Sequence, residues 1–199
     1  MADANKVDTI EDEIRALARS LEKVIKKLFF DRREIRFHAT SIKREVIVEF
    51  MQRMRVFGME KFDKAACVSM VNFYVNERDK AKQNAFGTLL IYVPEELVLL
   101  VLGFLKIPID IKIESEEDIL KLSSRVGEAI VAEFKKELPA LGYKNLFISE
   151  IVNFRNSTTH GVPFYRTIRA KDDVSFILDP EEGKILAVDI TMGPKSAIK

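Results

Sequence analysis

Cysteine is nearly absent. The 199 residues hold one, Cys67, so no disulfide can form within the chain, and a reducing, cytoplasmic setting is expected. Cys67 sits in the apolar run Ala65-Ala66-Cys67-Val68 and reads as a small core residue. Histidine is scarce too: His38 and His160 are the only two, with no cysteine or paired carboxylate at ligand spacing from either. Zinc and iron sites of the usual kinds are thereby excluded, and no metal is expected. The stretch Ser157-Thr158-Thr159-His160 is a polar turn by composition, since neighbours in sequence do not make a catalytic triad. The eight glycines are scattered rather than gathered into a phosphate loop, so nothing points to a nucleotide, and no cofactor is expected. Nor is there an excess of one sign of charge. Thirty-two Lys and Arg meet 31 Asp and Glu, for a net charge of +1, which gives no global pull toward nucleic acid or membrane.

A basic-then-apolar leader is missing from the first residues, so no signal peptide is expected. The most apolar run, residues 89–109, is broken by Pro94-Glu95-Glu96 and Lys106. It reads as a buried strand ending at Val93 and a core helix with Pro94 in its first turn, rather than as a membrane span.

What is present fits a soluble globular protein, with 47% hydrophobic and 32% charged residues. The length suits one domain over residues 1–199 with a sizeable core. Residues 10–30 form an amphipathic pattern with Ile14, Leu17, Leu21, Val24, Ile25 and Leu28 on one stripe. Strands are expected over 34–38 and 45–50, the second continuing through 51–57. Residues 67–76 and 86–93 read as an antiparallel pair joined by a solvated loop at 77–84. Further strands are expected near 146–154 and 164–169. A hairpin over 174–178 and 185–191 turns at Asp179-Pro180-Glu181-Glu182-Gly183, and residues 194–199 read as a frayed tail. The sum is an α+β fold, a largely antiparallel sheet packed on one face with about three helices. A basic stretch, Lys26-Lys27 through Arg36 with Arg53, Arg55 and Lys61 further on, is the one candidate cationic patch, weakened by Asp31 and Glu34.

The helix pattern at 115–138 carries the most information. Ser115 and the acids Glu116, Glu117 and Asp118 mark its start. Ile119, Leu122, Val126, Ala129 and Ile130 form a core-facing stripe, while Ser124, Glu128 and Val131 share a row on the other side. The segment Ser124-Ser-Arg-Val-Gly-Glu128-Ala-Ile-Val131 resembles the signature helix of the CheC/CheX/FliY family of chemotaxis phosphatases. That family carries Ser or Asp, then Glu four residues on and Asn three residues later. The segments Gly87-Thr-Leu-Leu-Ile-Tyr-Val-Pro-Glu-Glu-Leu and Leu141-Gly-Tyr-Lys-Asn-Leu-Phe-Ile-Ser also resemble family segments, and the likeness is best over residues 86–192.

The resemblance implies a CheX-like fold and a partner that is a CheY-like response-regulator receiver domain. In full family members the acid docks on the receiver and the amide orients a water for attack on its aspartyl phosphate, so catalysis is positioning and electrostatics. Here Val131 stands where the asparagine belongs, and an isopropyl group can neither donate nor accept a hydrogen bond. The proline usual in the following strand is also missing from Phe147-Ile148-Ser149-Glu150. The expectation is therefore an interaction module of two-component signalling that lacks phosphatase activity. Its partner surface is Leu120, Ser124, Glu128, Val131 and Lys135, and it engages a receiver or a second copy of itself as a homodimer. The alternative is an active phosphatase in which Glu128 docks the receiver and another polar group replaces the amide. Leu120, Val131 and Leu138 are placed together on the helix side away from the core. A literal Glu150-x-x-Asn153 lies in a strand pattern, which sends its two side chains to opposite faces.

Overall fold

Leu17, Leu21, Ile25 and Leu28 recur along one face and are buried, which makes the first segment a core-facing helix. In this computed structural model, which describes residues 2–198, that helix is α1 (Ala2–Arg33), with Arg32 and Arg33 in its last turn. It stops at Glu34, whose left-handed φ of 56° is the conformation that ends helices. The strand expected at 34–38 is consequently not formed; the chain turns there, and β1 is Ala39–Val46. A short hairpin follows, β2 (Glu49–Phe50) and β3 (Arg53–Val56). Its turn residues Met51 and Gln52 both have positive φ, so the expected continuous strand folds back on itself. After a one-turn helix α2 (Met59–Phe62), strand β4 (Ala66–Tyr74) runs to α3 (Glu77–Ala81), a short helix inside the segment expected to be all loop.

The expected antiparallel pair is present: β5 (Gly87–Pro94) pairs with β4. Pro94 closes β5 and leads through a 3-10 turn into α4 (Val98–Phe104). Helix α5 (Glu116–Glu137) follows, then the edge strands β6 (Phe147–Ile148) and β7 (Val152–Asn156), and β8 (His160–Val162). Residues 164–169 are not the expected strand. Phe164 and Ile168 are buried in a turn closed by Ile168 N–H donating to Tyr165 O. The closing hairpin is β9 (Ala170–Ile177) and β10 (Lys184–Met192), turned at Gly183 with φ 69°.

All pairings are antiparallel. The large sheet runs β1-β9-β10-β5-β4-β6, with β7 also on β4, and a small sheet runs β2-β3-β8. The chain is α+β, as its pattern implied. Helices α1, α4 and α5 cover one face of the large sheet, where Leu122, Val126, Ile130 and Phe134 pack with Val71, Ile91 and Val188. The small sheet, α2 and Phe164 cover the other face over Val68, Leu90, Tyr92 and Ala187. Burial on both faces explains why β4, β5 and β10 read as nearly unbroken apolar runs. The expected frayed tail is also corrected: Lys195 N–H donates to the Glu13 carboxylate, and Ile198 packs on the core. Residue 199 lies outside the described residues. No helix among the described residues is long and apolar enough to cross a membrane.

Candidate functional site

Helix α5 is started by Ser115, whose side chain accepts from Asp118 N–H while its hydroxyl donates to the Asp118 carboxylate. Two arginines fix it laterally. Arg125 donates to Pro108 O at 2.8 Å and pairs with Asp110 at 2.6 Å, pinning the connection from α4. Arg155 on β7 bridges Glu95 at 2.7 Å and Glu116 at 3.1 Å, so the helix start is tied to the sheet edge.

The seat of the helix is Gly127. A Cβ there would stand 2.6 Å from both Cβ and Oγ of Ser69 on β4, a contact no side chain permits. Glycine lets α5 lie directly on the sheet, and the neighbouring Glu128 is thereby presented outward and exposed. Ser69 Oγ donates in turn to Asn153 Oδ1 on β7 at 2.7 Å, which places the half-buried Asn153 carboxamide beside the Gly127 seat.

The expected row is present in part. Ser124 Oγ donates to Lys121 O at 2.8 Å and lies 3.5 Å from Glu128 Oε1. Glu128 and Lys135 are exposed, whereas Leu120, Ser124 and Val131 are half-buried, Leu120 and Val131 packing against the core. Leu138 does not join them; it is buried, because the last turn of α5 folds down onto Tyr143 and the core. Glu150 is exposed outside any strand and Asn153 is on β7, so this pair does not act together. Cys67 is buried beneath α5. Burial first, then the Glu95 carboxylate, pushes its thiol up to about 11, against a hydrogen bond with Ser123. It is an inert core thiol.

A second charged constellation escaped the sequence reading. Lys61 Nζ, on α2, lies 3.1 Å from Glu45, 2.5 Å from Asp173 and 2.8 Å from Asp189. Lys171 pairs with Asp189 and with Glu45, and the Tyr92 hydroxyl donates to Asp189 at 2.8 Å. Burial works against both charges, but the Asp189 and Asp173 carboxylates hold the Lys61 ammonium well above the usual lysine range. Lys171 and Lys61 likewise hold the fully buried Asp189 carboxyl well below the usual carboxylate range. The acids Glu45, Asp173 and Asp189 converge as metal ligands would, yet the Lys61 ammonium already fills the cation position between them. The available signal was a lone Asp189 inside the apolar run Leu186-Ala187-Val188-Asp189-Ile190, a charge that burial requires to be paired. The expected cationic patch is split: Lys26, Lys27 and Arg36 stay together around Phe30 and Phe37, whereas Lys61 is internal and Arg55 pairs with Glu60.

No protein-family profile matches the chain, and no curated protein is significantly similar in sequence. Solved structures do match. A CheC-like superfamily protein from Shewanella sp. PV-4 is similar with a TM-score of 0.52 at 17% identity, over 90% of this chain and 96% of that one. The chemotaxis protein CheX from Desulfovibrio desulfuricans matches with a TM-score of 0.52 at 9% identity, over 89% and 99%. The chain has the CheC/CheX family fold. FliM in the FliM–SpeE complex from H. pylori shares it more distantly in sequence than the Shewanella protein, with a TM-score of 0.50 at 10% identity, over 95% of this chain and 88% of that one.

Proposed function

We propose that this chain is an interaction module of bacterial chemotaxis or two-component signalling that docks a CheY-like receiver domain through the outer row of α5. Leu120, Ser124, Glu128, Val131 and Lys135 form the contact, Glu128 supplies the docking charge, and the module leaves the receiver's aspartyl phosphate intact. The observation that carries this reading is the geometry around Gly127. The helix is pressed onto the sheet, Glu128 projects free of any cation among the described residues, and the position one turn further on holds the apolar Val131. An exposed carboxylate can pair with a cation on a partner, whereas valine cannot hold a water.

A second reading, an active phosphatase, gains support from one feature: Asn153. Its carboxamide lies beside the Gly127 seat with one of two Oδ1 lone pairs taken by Ser69, leaving the other for a water. The decay of a phosphorylated CheY-like receiver, followed with wild type, Val131→Asn and Asn153→Ala, separates the two. A docking module leaves the decay unchanged as wild type and accelerates it as Val131→Asn. Acceleration by wild type that Asn153→Ala abolishes overturns the module in favour of the enzyme. Binding of the receiver that survives Glu128→Ala unchanged removes α5 from the interface altogether. A concentration-dependent dimer that Glu128→Ala dissociates makes the partner a second copy.

A further inference from the structure

On the face of the large sheet opposite α5, the β2–β3 turn, the segment after α3 and the residues after β8 enclose a cleft of about 350 Å³. Three cations line it, Arg53, Lys82 and Arg166, together with the amides of Gln52, Gln83 and Asn84, and no carboxylate does. Six other arginines of the chain, Arg15, Arg44, Arg55, Arg125, Arg155 and Arg169, reach an acid. These three cations reach none among the described residues, and they share one cleft that no carboxylate lines. Like charges gathered without a counter-charge repel one another, and an anionic ligand relieves that repulsion.

The cleft continues past Arg53, Gln83 and Pro163 into an adjoining cavity of about 350 Å³. Asn72, Tyr74 and Ser149 line that part, with Glu150 its one carboxylate. Asn72 is 6% exposed, and Thr88 Oγ1 donates to its Oδ1 at 3.1 Å. One end of the cleft thus gathers cations without a carboxylate, and the other offers neutral hydrogen-bonding groups with one cation, Lys80, and one carboxylate, Glu150.

We infer that this cleft binds a phosphorylated small molecule with a hydroxyl-bearing body, of the class of sugar phosphates and nucleotides. The phosphoryl group lies among Arg53, Lys82 and Arg166, and the hydroxyls extend toward Asn72 and Glu150. The site is independent of the α5 surface and of its proposed partner. Guanidinium forks suit phosphate oxygens bidentately, and the combined volume is that of ordinary small-ligand sites.

Calorimetric titration of the intact chain with pyrophosphate, ADP and adenosine tests this, with a single-stranded oligonucleotide as a further arm. The expected result is saturable 1:1 binding of pyrophosphate and ADP, tighter for ADP, and none of adenosine. Arg53→Gln and Arg166→Gln are each expected to weaken ADP by about tenfold or more. Both positions are exposed, so matched melting curves confirm that the variants fold. Lys144→Gln, an exposed cation elsewhere, leaves binding unchanged. Absence of saturable binding of either phosphorylated probe overturns the inference. So does an equal loss with Lys144→Gln, which reduces the effect to general charge, or binding of the oligonucleotide alone.

Discussion

Replacing Lys61 by methionine removes the ammonium and keeps most of the side chain's bulk. Three carboxylates then remain within reach of one another, with ligand oxygens inside 4.8 Å, and only Lys171 is left to balance them. Lys61, Asp173 and Asp189 have side chains 10%, 5% and 1% exposed, so water screens little of this. Breaking such a buried pair from one side costs about 3–5 kcal/mol, and in a chain of this size each kcal/mol lowers Tm by about 2–4 °C. Lys61→Met is thus expected to melt roughly 10 °C below wild type or lower. Lys61→Met/Asp173→Asn recovers part of that, since it removes a negative charge along with the positive one. Acid and alkali act on the same cluster from opposite sides. Asp189 titrates well below its ordinary 3.8 in the folded chain, so the stability it contributes is complete above that value and is lost as the pH falls below it. Lys61 titrates above its ordinary 10.5, so its contribution is complete below that value and fades as the pH rises beyond it. Urea titrations of wild type and variants at neutral pH, with melts across the pH range, check both. A single variant that costs less than about 1 kcal/mol would refute the reasoning, because it would mean that the buried carboxylates find water or protons instead of Lys61.

Two further changes test the local geometry. Gly127→Ala drives a methyl group against Ser69 and is expected to cost about 1–3 kcal/mol in urea unfolding; Gly127→Ala/Ser69→Gly restores most of it, and failure to do so would show that the helix seat lies elsewhere. In the β2–β3 turn, Met51→Asn/Gln52→Gly replaces two residues at φ 51° and 62° by the pair that this turn favours. A gain of about 1 kcal/mol with an unchanged denaturant slope is expected.

How much of this was legible depends on which force set each element. Helix α5 could be read over 115–138, against an observed Glu116–Glu137, because its cap, acidic first turn and apolar spacing are local signals that agree with one another. The β9–β10 hairpin likewise announces itself through Pro180 and Gly183. Residues 164–169 could not be read. Phe164 and Ile168 look like strand residues, and the need to bury them is satisfied by a turn against the second core instead. The strand expected at 34–38 moved to 39–46 because pairing with β9, a segment more than a hundred residues away, decided the register. At the candidate site, the row of Ser124, Glu128 and Val131 follows from helical spacing alone. Asn153 and Ser69 come from two strands, and only the packing of α5 through Gly127 brings them beneath it. The ion cluster around Lys61 is assembled from four elements and leaves only Asp189 as a trace in the sequence.

The strand order has a consequence for how the molecule is made. β10 lies between β9 and β5 near the centre of the large sheet, yet it is the last of the ten strands to leave the ribosome. Until it emerges, β5 has one flank of backbone groups unpaired and much of its apolar surface without cover, and the β1–β9 pair has no strand to join it to β5. The nascent chain therefore carries an open, sticky edge from the completion of β5 at Pro94 until β10 begins at Lys184. It closes in one late, long-range step, when β10 inserts between β9 and β5 and Asp189 meets Lys61. Chains cut short before β10 would accumulate as aggregates rather than as smaller folded units.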